Sequence, residues 1–271
     1  MATRVLVLSP RYTSDSRVIR NAALQAGWNV ERLGNWRVPE RLLGRDVVLY
    51  GEPLFVEVIA ARLSLALLDV PSDWLIHLPM CYRKRAIHLT TLGEARILSQ
   101  PTFVKPADGR KGFEGTVYAS GAQLPSVEIL PDATPVLTAE PVTWEVEFRC
   151  FVLERQIMTI SPYLRNGGPA RTPDGIWVAS PEEFEQMRVF METFLADMDV
   201  HLPPAIVVDA GKIRDRGWAV VEANAAWGAG FCDCDPAQVL PVLGRACIRR
   251  AQLSDDDAVW VKNNEIDLAD E

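Results

Sequence analysis

Apolar runs of strand length alternate with helical patterns over the first part of the chain. The segments "RVLVLS", "WNVERL" and "RDVVLYG" read as strands, and "DSRVIRNAALQAG" has apolar positions at helical spacing and ends at Gly27. A second helix is predicted from about Pro53 to Leu68. Strands that alternate with helices predict a small, mostly parallel α/β layer. We expect it to form a separate domain over residues 1–80, because the following segment "LDVPSDWLIHLPMCYRKR" breaks the pattern.

Beyond residue 80 the pattern is that of short strands joined by turns. "TFVKPA" and "GTVYAS" flank the glycine-rich segment "DGRKGFEG" as a hairpin, and Thr91 and Glu94 have capping-box spacing. A helix is predicted in "SPEEFEQMRVFMETFLADM" with Ser180 as its N-cap. The remaining strands are predicted in "TPVLTAEP", "TWEVEFRCFVLERQIMTISPYLR" and "AIVVDAGKIRDRGWAVVEANAAW". The fold class is therefore α/β in the wider sense that includes α+β, with a second domain over residues 81–253 and a polar tail, 254–271, expected to be frayed.

The segment "VTWEVEFRCFV" places charged residues on one face of a predicted strand. With a period of two, Glu145, Glu147 and Arg149 point one way and apolar residues point the other. Two interpretations stay open from this strand alone. The face is either a solvated ladder of charges, which is the common position for such residues, or one wall of a polar site.

Two acids and an amide are predicted to meet on the next hairpin. A turn centred between Asp215 and Arg216 places Asp209 opposite Glu222 and puts Asn224 on the same face. Carboxylate and amide oxygens suit a hard cation, and magnesium takes a few protein oxygens together with waters and phosphates. The alternative is that Asp209 begins a turn and Glu222 ends a strand.

Basic residues are available to hold an anionic ligand near this hairpin. Lys105 ends a strand, whereas Lys111 lies in the glycine-rich loop, where main-chain N–H groups can also face phosphate oxygens. Arg149 and the run from Arg83 to Arg85 add further positive charge. An ordinary hairpin with solvated lysines is the alternative.

Composition limits the partners and the compartment. The 271 residues are 48% hydrophobic, enough for a large core, and the net charge of −8 repels nucleic acid and anionic membranes. Any anionic ligand must therefore be held by a local basic cluster, and no nucleic-acid or membrane partner is expected. Five cysteines without framework spacing and an N-terminus without the apolar core of a secretory signal predict a cytoplasmic protein.

The order of these motifs resembles a known family. From Arg83 to Asp235, the segments "FVKP", "KGFEG", "TAEPVTWEVEFR" and "VVEANAAWGAG" are similar to the ATP-grasp superfamily of carboxylate–amine ligases, in the branch related to ribosomal-protein glutamate ligases. The resemblance implies an ATP-grasp fold in which two α+β subdomains clamp ATP, preceded by an N-terminal α/β pre-grasp domain.

The resemblance also implies roles for individual residues. The catalytic residues would be Arg149, facing the phosphates or an acyl-phosphate, and Lys111, on a mobile loop. The nucleotide-binding set would be Arg85, Lys105, Lys111, Gly112, Glu140, Val142 and Glu147, with Glu140 and Val142 in the adenine hinge and Glu147 on the ribose. Arg83 or Lys84 could take the place of Arg85. The magnesium ligands would be Asp209, Glu222 and Asn224.

The activity implied is ATP-dependent formation of an amide or peptide bond. A small-molecule or peptide carboxylate would form an acyl-phosphate, and an amine would then displace phosphate. The sequence departs from the family because "AIVVDAG" lacks the arginine that many relatives carry near the first magnesium acid, so Arg149, Arg165 and Arg214 are candidates to stabilise the acyl-phosphate. The loops that hold Arg165 and Trp227 are predicted to line an acceptor pocket, although Trp227 could equally serve packing.

Two other functions are compatible with the same nucleotide site. One is an ATP-binding regulatory or scaffold protein that has lost turnover, and the other is a kinase-like phosphotransferase. The full set of basic and acidic site residues favours catalysis over a regulatory role.

Overall fold

The computed structural model of the protein describes residues 3–107 and 112–262. Its first sheet is parallel, with the strand order β2-β1-β3, as the alternating pattern predicts. The strands and helices of this part are β1 (Val5–Leu8), α1 (Ser14–Gln25), β2 (Asn29–Arg32), β3 (Val47–Tyr50) and α2 (Pro53–Arg62). Thr13 caps α1 and forms a capping box with Ser16. β1 and β3 are buried along their whole length, which explains their continuous apolar runs.

The second predicted helix is shorter than expected. It ends at Arg62, and Ser64 turns the chain in the left-handed region at φ 54°, so that β4 (Leu65–Leu67) follows where helix was predicted. β4 pairs antiparallel with β14 (Cys247–Arg249), which comes from the far end of the sequence. A short apolar run does not reveal such a distant partner, and this explains the wrong prediction.

A four-stranded antiparallel sheet follows, with the order β5-β8-β6-β7. Its elements, with the short helices that precede it, are α3 (Trp74–His77), α4 (Met80–Arg83), β5 (Ile87–Thr91), α5 (Leu92–Arg96), β6 (Thr102–Pro106), β7 (Thr116–Tyr118) and β8 (Pro135–Ala139). The predicted capping box of Thr91 and Glu94 is present at α5. β6 and β7 pair as the predicted hairpin on either side of the glycine-rich loop.

The third sheet is antiparallel and five-stranded, with the order β11-β10-β9-β12-β13. Its elements are β9 (Trp144–Leu153), β10 (Gln156–Arg165), β11 (Gly168–Pro169), α6 (Pro181–Ala196), β12 (Ala205–Ile213) and β13 (Gly217–Asn224). Phe148 of β9 packs with Met187, Met191 and Phe194 of α6 in the core on one face. Residues 140–143 join this sheet to the four-stranded one.

The C-terminal part returns to the N-terminal sheet. α7 (Pro236–Ala246), which the sequence patterns did not predict, packs on α1 and β3, and β14 follows it. Residues 254–262 of the predicted frayed tail are structured, since α8 (Asp255–Ala258) is capped by Ser254 and Val261 bridges to Leu68. The rest of that tail lies outside the described residues. No helix in the described ranges is long and apolar enough to cross a membrane.

Candidate active site

The charged face of β9 divides between the two interpretations left open by the sequence. Glu145 is 36% exposed near the strand end and lies 3.7 Å from both Lys212 and Arg214, as in a solvated ladder. Glu147 and Arg149 are buried, at 6% and 7% exposure. These two residues therefore form part of a polar site rather than of the surface.

The acidic hairpin has the predicted register at the site. Asp209 of β12 pairs with Glu222 of β13, although the turn is centred on Asp215 rather than between that residue and the next. A β-bulge at Val221 absorbs the difference, because it adds one residue to β13 between the turn and Glu222. The Asn224 amide donates to both carboxylates at 3.1 Å, so the three predicted ligands do meet.

Each carboxylate of this hairpin is paired with a predicted phosphate-binding cation. Arg149 donates to both oxygens of Asp209, with Nε to Oδ1 at 2.9 Å and Nη2 to Oδ2 at 2.6 Å. Lys105 Nζ lies 2.5 Å from Glu222 Oε2. Because Lys105 belongs to the four-stranded sheet and Glu222 to the five-stranded sheet, the site lies between the two sheets. Tyr163 stacks on the Arg149 guanidinium at 4.5 Å.

Burial and charge oppose each other in these pairs. Burial raises the pKa of Asp209, while Arg149 acts to lower it. Burial acts to lower the pKa of Arg149, but the contact with Asp209 outweighs it and the pKa rises, so the arginine stays charged. Burial would likewise raise the pKa of Glu222, and Lys105 and Asn224 outweigh it and hold this pKa below its usual value.

Glu147 is the least compensated acid of the site. Burial, reinforced by the nearby carboxylates of Asp209 and Glu222, raises its pKa to about 7. Gly211 faces it on β12, where a Cβ atom would lie 3.0 Å from Glu147 Cγ and 2.8 Å from the Val146 carbonyl oxygen. A glycine is therefore required for the two strands to pair beside this side chain.

The other predicted nucleotide contacts are placed differently. Arg85 is buried and donates to main-chain carbonyls rather than facing open space. Glu140 lies in the segment between the two sheets, where Arg216 holds its carboxylate at 2.5 Å, and Val142 is half-buried beside it. Gly112 begins the second described range, whereas Lys111 lies outside the described residues. The implied roles of these residues stay predictions.

Sequence reasoning missed one loop that contacts the site. The Gly230 carbonyl accepts from Arg149 Nη1 at 3.0 Å, and the Phe231 N–H donates to Asp15 Oδ2 at 3.2 Å. A Cβ at Gly230 would lie 3.2 Å from Asp15 Oδ2 and 3.6 Å from Arg149 Nη1. Asp15 of α1 thus approaches the site from the N-terminal sheet. The two glycines of "WGAGF" are the only hint of this close approach in the sequence.

The predicted acceptor residues lie elsewhere. Trp227 is 1% exposed and donates from Nε1 to the Leu68 carbonyl oxygen at 3.0 Å, so it serves packing. Arg165 is paired bidentately with Glu183 of α6, at 2.9 and 2.8 Å. Arg165 and Glu183 line a cavity of about 600 Å³ beside α6, to which Lys212 also contributes. The prediction that Arg165 and Trp227 line the acceptor pocket is therefore wrong for Trp227 and places Arg165 beside a different cavity.

The donors of the hairpin fit magnesium. Two carboxylates and one amide lie within hydrogen-bond reach of one another, and rotation of the Asn224 amide would present its oxygen to a cation. No group of three or more His, Cys, Asp or Glu side chains in residues 3–107 and 112–262 is arranged to enclose a metal. A cation held by few protein oxygens, with waters and phosphates completing its shell, matches this set.

Two solved structures of the D-alanine–D-alanine ligase from Bacillus anthracis share this fold. One has a TM-score of 0.55 at 12% identity and covers 89% of this chain and 96% of that chain. The other, complexed with ATP, has a TM-score of 0.52 at 14% identity and covers 91% of this chain and 97% of that one. A RimK domain ATP-grasp protein from Sphaerobacter thermophilus has a TM-score of 0.49 at 14% identity and covers 96% and 99%.

The sheets that enclose the paired acids and cations thus form an ATP-grasp fold, which confirms the predicted fold class. A family model described as an ATP-grasp domain, the second family of its clade, matches residues 82–242. The chain belongs to this family, and the resemblance found in the motifs is confirmed. No curated protein matches the sequence.

Proposed function

We propose that this protein is an ATP-dependent ligase that joins a carboxylate to an amine through an acyl-phosphate, with release of ADP and phosphate. The observation that carries the proposal is the cluster between the two sheets, in which Lys105 and Arg149 lie against Glu222 and Asp209. Its cations and acids match the charges of a nucleotide phosphate chain and its metal. The small-molecule or peptide nature of the substrates is part of the proposal.

The chain's own residues would act mainly by position and charge. Asp209, Glu222 and Asn224 would hold Mg²⁺, which when bound supplies charge neutralisation at the β- and γ-phosphates. Lys105, released from Glu222, would bind phosphate oxygens from its strand.

Arg149 would face the developing charge on the transferred phosphoryl group, held in place by Tyr163 and the Gly230 carbonyl. The substrate carboxylate is the nucleophile of the first step and the amine that of the second, so no protein nucleophile is required.

Turnover with defined substrates tests the reaction. Purified protein is incubated with Mg-ATP and pooled amino acids or short peptides, and ADP, phosphate and new amide mass are followed. We expect ADP and phosphate only when both a carboxylate and an amine are present. A phosphorylated acceptor without amide would identify a kinase, and ATP binding without turnover on any pool would favour a regulatory protein.

Replacing Glu222 separates its proposed metal role from its contact with Lys105. Glu222→Gln removes a negative charge beside Lys105 (Nζ to Oε2, 2.5 Å) and keeps the side-chain shape. We expect turnover to fall at least about 100-fold, while ATP in the presence of a chelator binds about three- to tenfold more tightly, because Lys105 loses its carboxylate partner. Calorimetry without metal measures the second effect.

Glu183→Gln is the matched control, since it removes another arginine-bound carboxylate beside the same sheet. It should alter neither turnover nor ATP affinity. Near-normal turnover in Glu222→Gln would contradict the metal assignment.

A further inference from the structure

Arg85 is a buried cation whose recorded hydrogen bonds go to main-chain carbonyls. It is 7% exposed, and Nη1 donates to the Val220 oxygen at 2.8 Å and to the Arg83 oxygen at 3.0 Å, while Nη2 donates to the Val221 oxygen at 3.0 Å. No carboxylate in the described part of the chain lies within ion-pair distance of it. The Trp144 ring stacks on the guanidinium at 4.9 Å.

Two of these acceptors are consecutive residues of one strand. In a regular strand, successive carbonyls point to opposite edges, so one side chain cannot bind both. Val220 and Val221 present both carbonyls to Arg85 because the β-bulge lies at Val221, where β13 has one residue more than its partner β12. Among the described strands, β13 is also the edge strand of its sheet, so carbonyls on its open edge have no strand to pair with.

The residue after the bulge is Glu222, a proposed metal ligand. The bulge restores the pairing of Glu222 with Asp209 after a turn whose centre would otherwise shift that register. A planar guanidinium matches two adjacent carbonyls, whereas a lysine ammonium is a point donor without that fork. The cation that holds the bulge therefore also determines where the Glu222 carboxylate points.

We propose that Arg85 is a positioning residue that holds the β13 bulge and thereby places Glu222 for the metal. The inference rests on the proposed function, because it concerns the same metal site. It differs from the role that the family resemblance implies for Arg85, which is direct contact with the nucleotide. The two roles predict different losses on substitution, since a phosphate contact matters to ATP with or without metal, whereas a positioned Glu222 matters only when metal is present.

Metal and nucleotide affinities are measured separately on the full chain. Mn²⁺ replaces Mg²⁺ as the probe, and its binding in the presence of a non-hydrolysable ATP analogue is followed by electron paramagnetic resonance. We expect Arg85→Lys to weaken Mn²⁺ binding by about 10- to 100-fold, the usual loss when a residue that orients a metal ligand is changed. The affinity for the analogue with chelator should stay within about twofold of wild type, as expected when no phosphate contact is lost.

Arg155 provides a matched control. Its guanidinium also donates to three main-chain carbonyls, those of Leu195, Val200 and Asp197, at 2.8, 3.0 and 2.5 Å, but it lies at the β9–β10 turn. Arg155→Lys should lower the denaturation midpoint and leave Mn²⁺ affinity unchanged. A second variant, Trp144→Leu, removes the stacking surface under Arg85 without touching the carbonyls, and it tests the inference if Arg85→Lys does not fold. We expect it to weaken Mn²⁺ binding and to spare metal-free nucleotide binding.

The outcomes distinguish this inference from the proposed function. Absence of nucleotide-dependent Mn²⁺ binding in the wild type would overturn the metal site itself. Wild-type Mn²⁺ binding that survives both Arg85→Lys and Trp144→Leu would overturn only the positioning role. Loss of metal-free nucleotide affinity in Arg85→Lys would instead support a direct contact with phosphate and would also overturn the positioning role.

Discussion

Glu147 shows at the scale of one residue how burial changes a charged side chain. On the sequence, it is one of three charged residues at alternate positions of β9 and is indistinguishable from Glu145. In the fold, Glu147 is 6% exposed between Arg85 and the acids of the hairpin, whereas Glu145 is exposed at the strand end. Burial raises the pKa of Glu147 from 4.5 to about 7, so its charge depends on pH in the neutral range.

This pKa predicts a pH-dependent stability. Because the folded-state pKa exceeds the unfolded value, the group favours folding below pH 4.5, and that contribution is lost as the pH rises through about 7. Above that pH the buried carboxylate costs roughly 3 kcal/mol. Glu147→Gln should therefore be more stable than wild type by up to about 3 kcal/mol at pH 8, with a difference that shrinks towards pH 5.

Urea denaturation at several pH values, with chelator and without nucleotide, measures this difference. Glu145→Gln is the control, because the same change on the exposed neighbour should give no comparable pH dependence. Parallel stability curves for wild type and Glu147→Gln would rule out the raised pKa.

At the scale of elements, the pairing of β9 with β12 depends on one glycine. A Cβ at Gly211 would lie 2.8 Å from both Trp144 Cε3 and the Val146 carbonyl oxygen, which are closer than side-chain contacts allow. Trp144 is the ring on which Arg85 stacks, so this close approach also affects the proposed positioning residue. A glycine within a strand indicates such an approach, but the sequence does not say which neighbour requires it.

Gly211→Ala should therefore destabilise the protein by about 1–3 kcal/mol, because backbone atoms must move to admit the methyl group. Gly34→Ala is the control, since a Cβ there meets nothing within 4 Å and its φ is not in the left-handed region. It should change the free energy of unfolding by no more than about 1 kcal/mol and in the stabilising direction. Equal effects of the two changes in urea denaturation would contradict the close approach.

The hairpin β12–β13 shows which element properties follow from sequence. Its strands, its turn and the facing of Asp209 and Glu222 were predicted because residues in a tight hairpin are neighbours both in sequence and in space. The bulge at Val221 was not, since it depends on Arg85, a residue from another part of the chain. Helix α2 failed at its end for the same reason, because β4 exists only by pairing with β14.

At the scale of the whole molecule, the predicted division at residue 80 does not coincide with the cores. One core contains the strands of the N-terminal sheet together with Phe151, Trp227, Phe231 and Leu243. These residues belong to the predicted second domain, so both parts bury the same apolar surface. The proposed domain boundaries therefore mark a change of sheet rather than two independently folding units.

A chain cut to residues 81–253 should not unfold cooperatively. Exposing each large buried side chain costs about 1.5–3 kcal/mol, and the loss of cover over several of them approaches the roughly 5–15 kcal/mol that separates folded from unfolded states. Thermal denaturation followed by circular dichroism checks this, with the full chain in parallel. A sharp transition in the shortened chain would show that the ATP-grasp part folds by itself.

The sequence by itself determined the strands, the hairpins and the face on which each charged residue lies, because periods of two and short turns relate only nearby residues. It also carried the order of motifs that identifies the ATP-grasp fold. Only the tertiary structure decided that Lys105 meets Glu222, that Glu147 and Arg149 are buried while Glu145 is not, and that Trp227 serves packing. Those outcomes depend on how two sheets and the N-terminal layer close on one another. Contacts between residues far apart in the sequence are set by that packing, and local pattern contains no information about them.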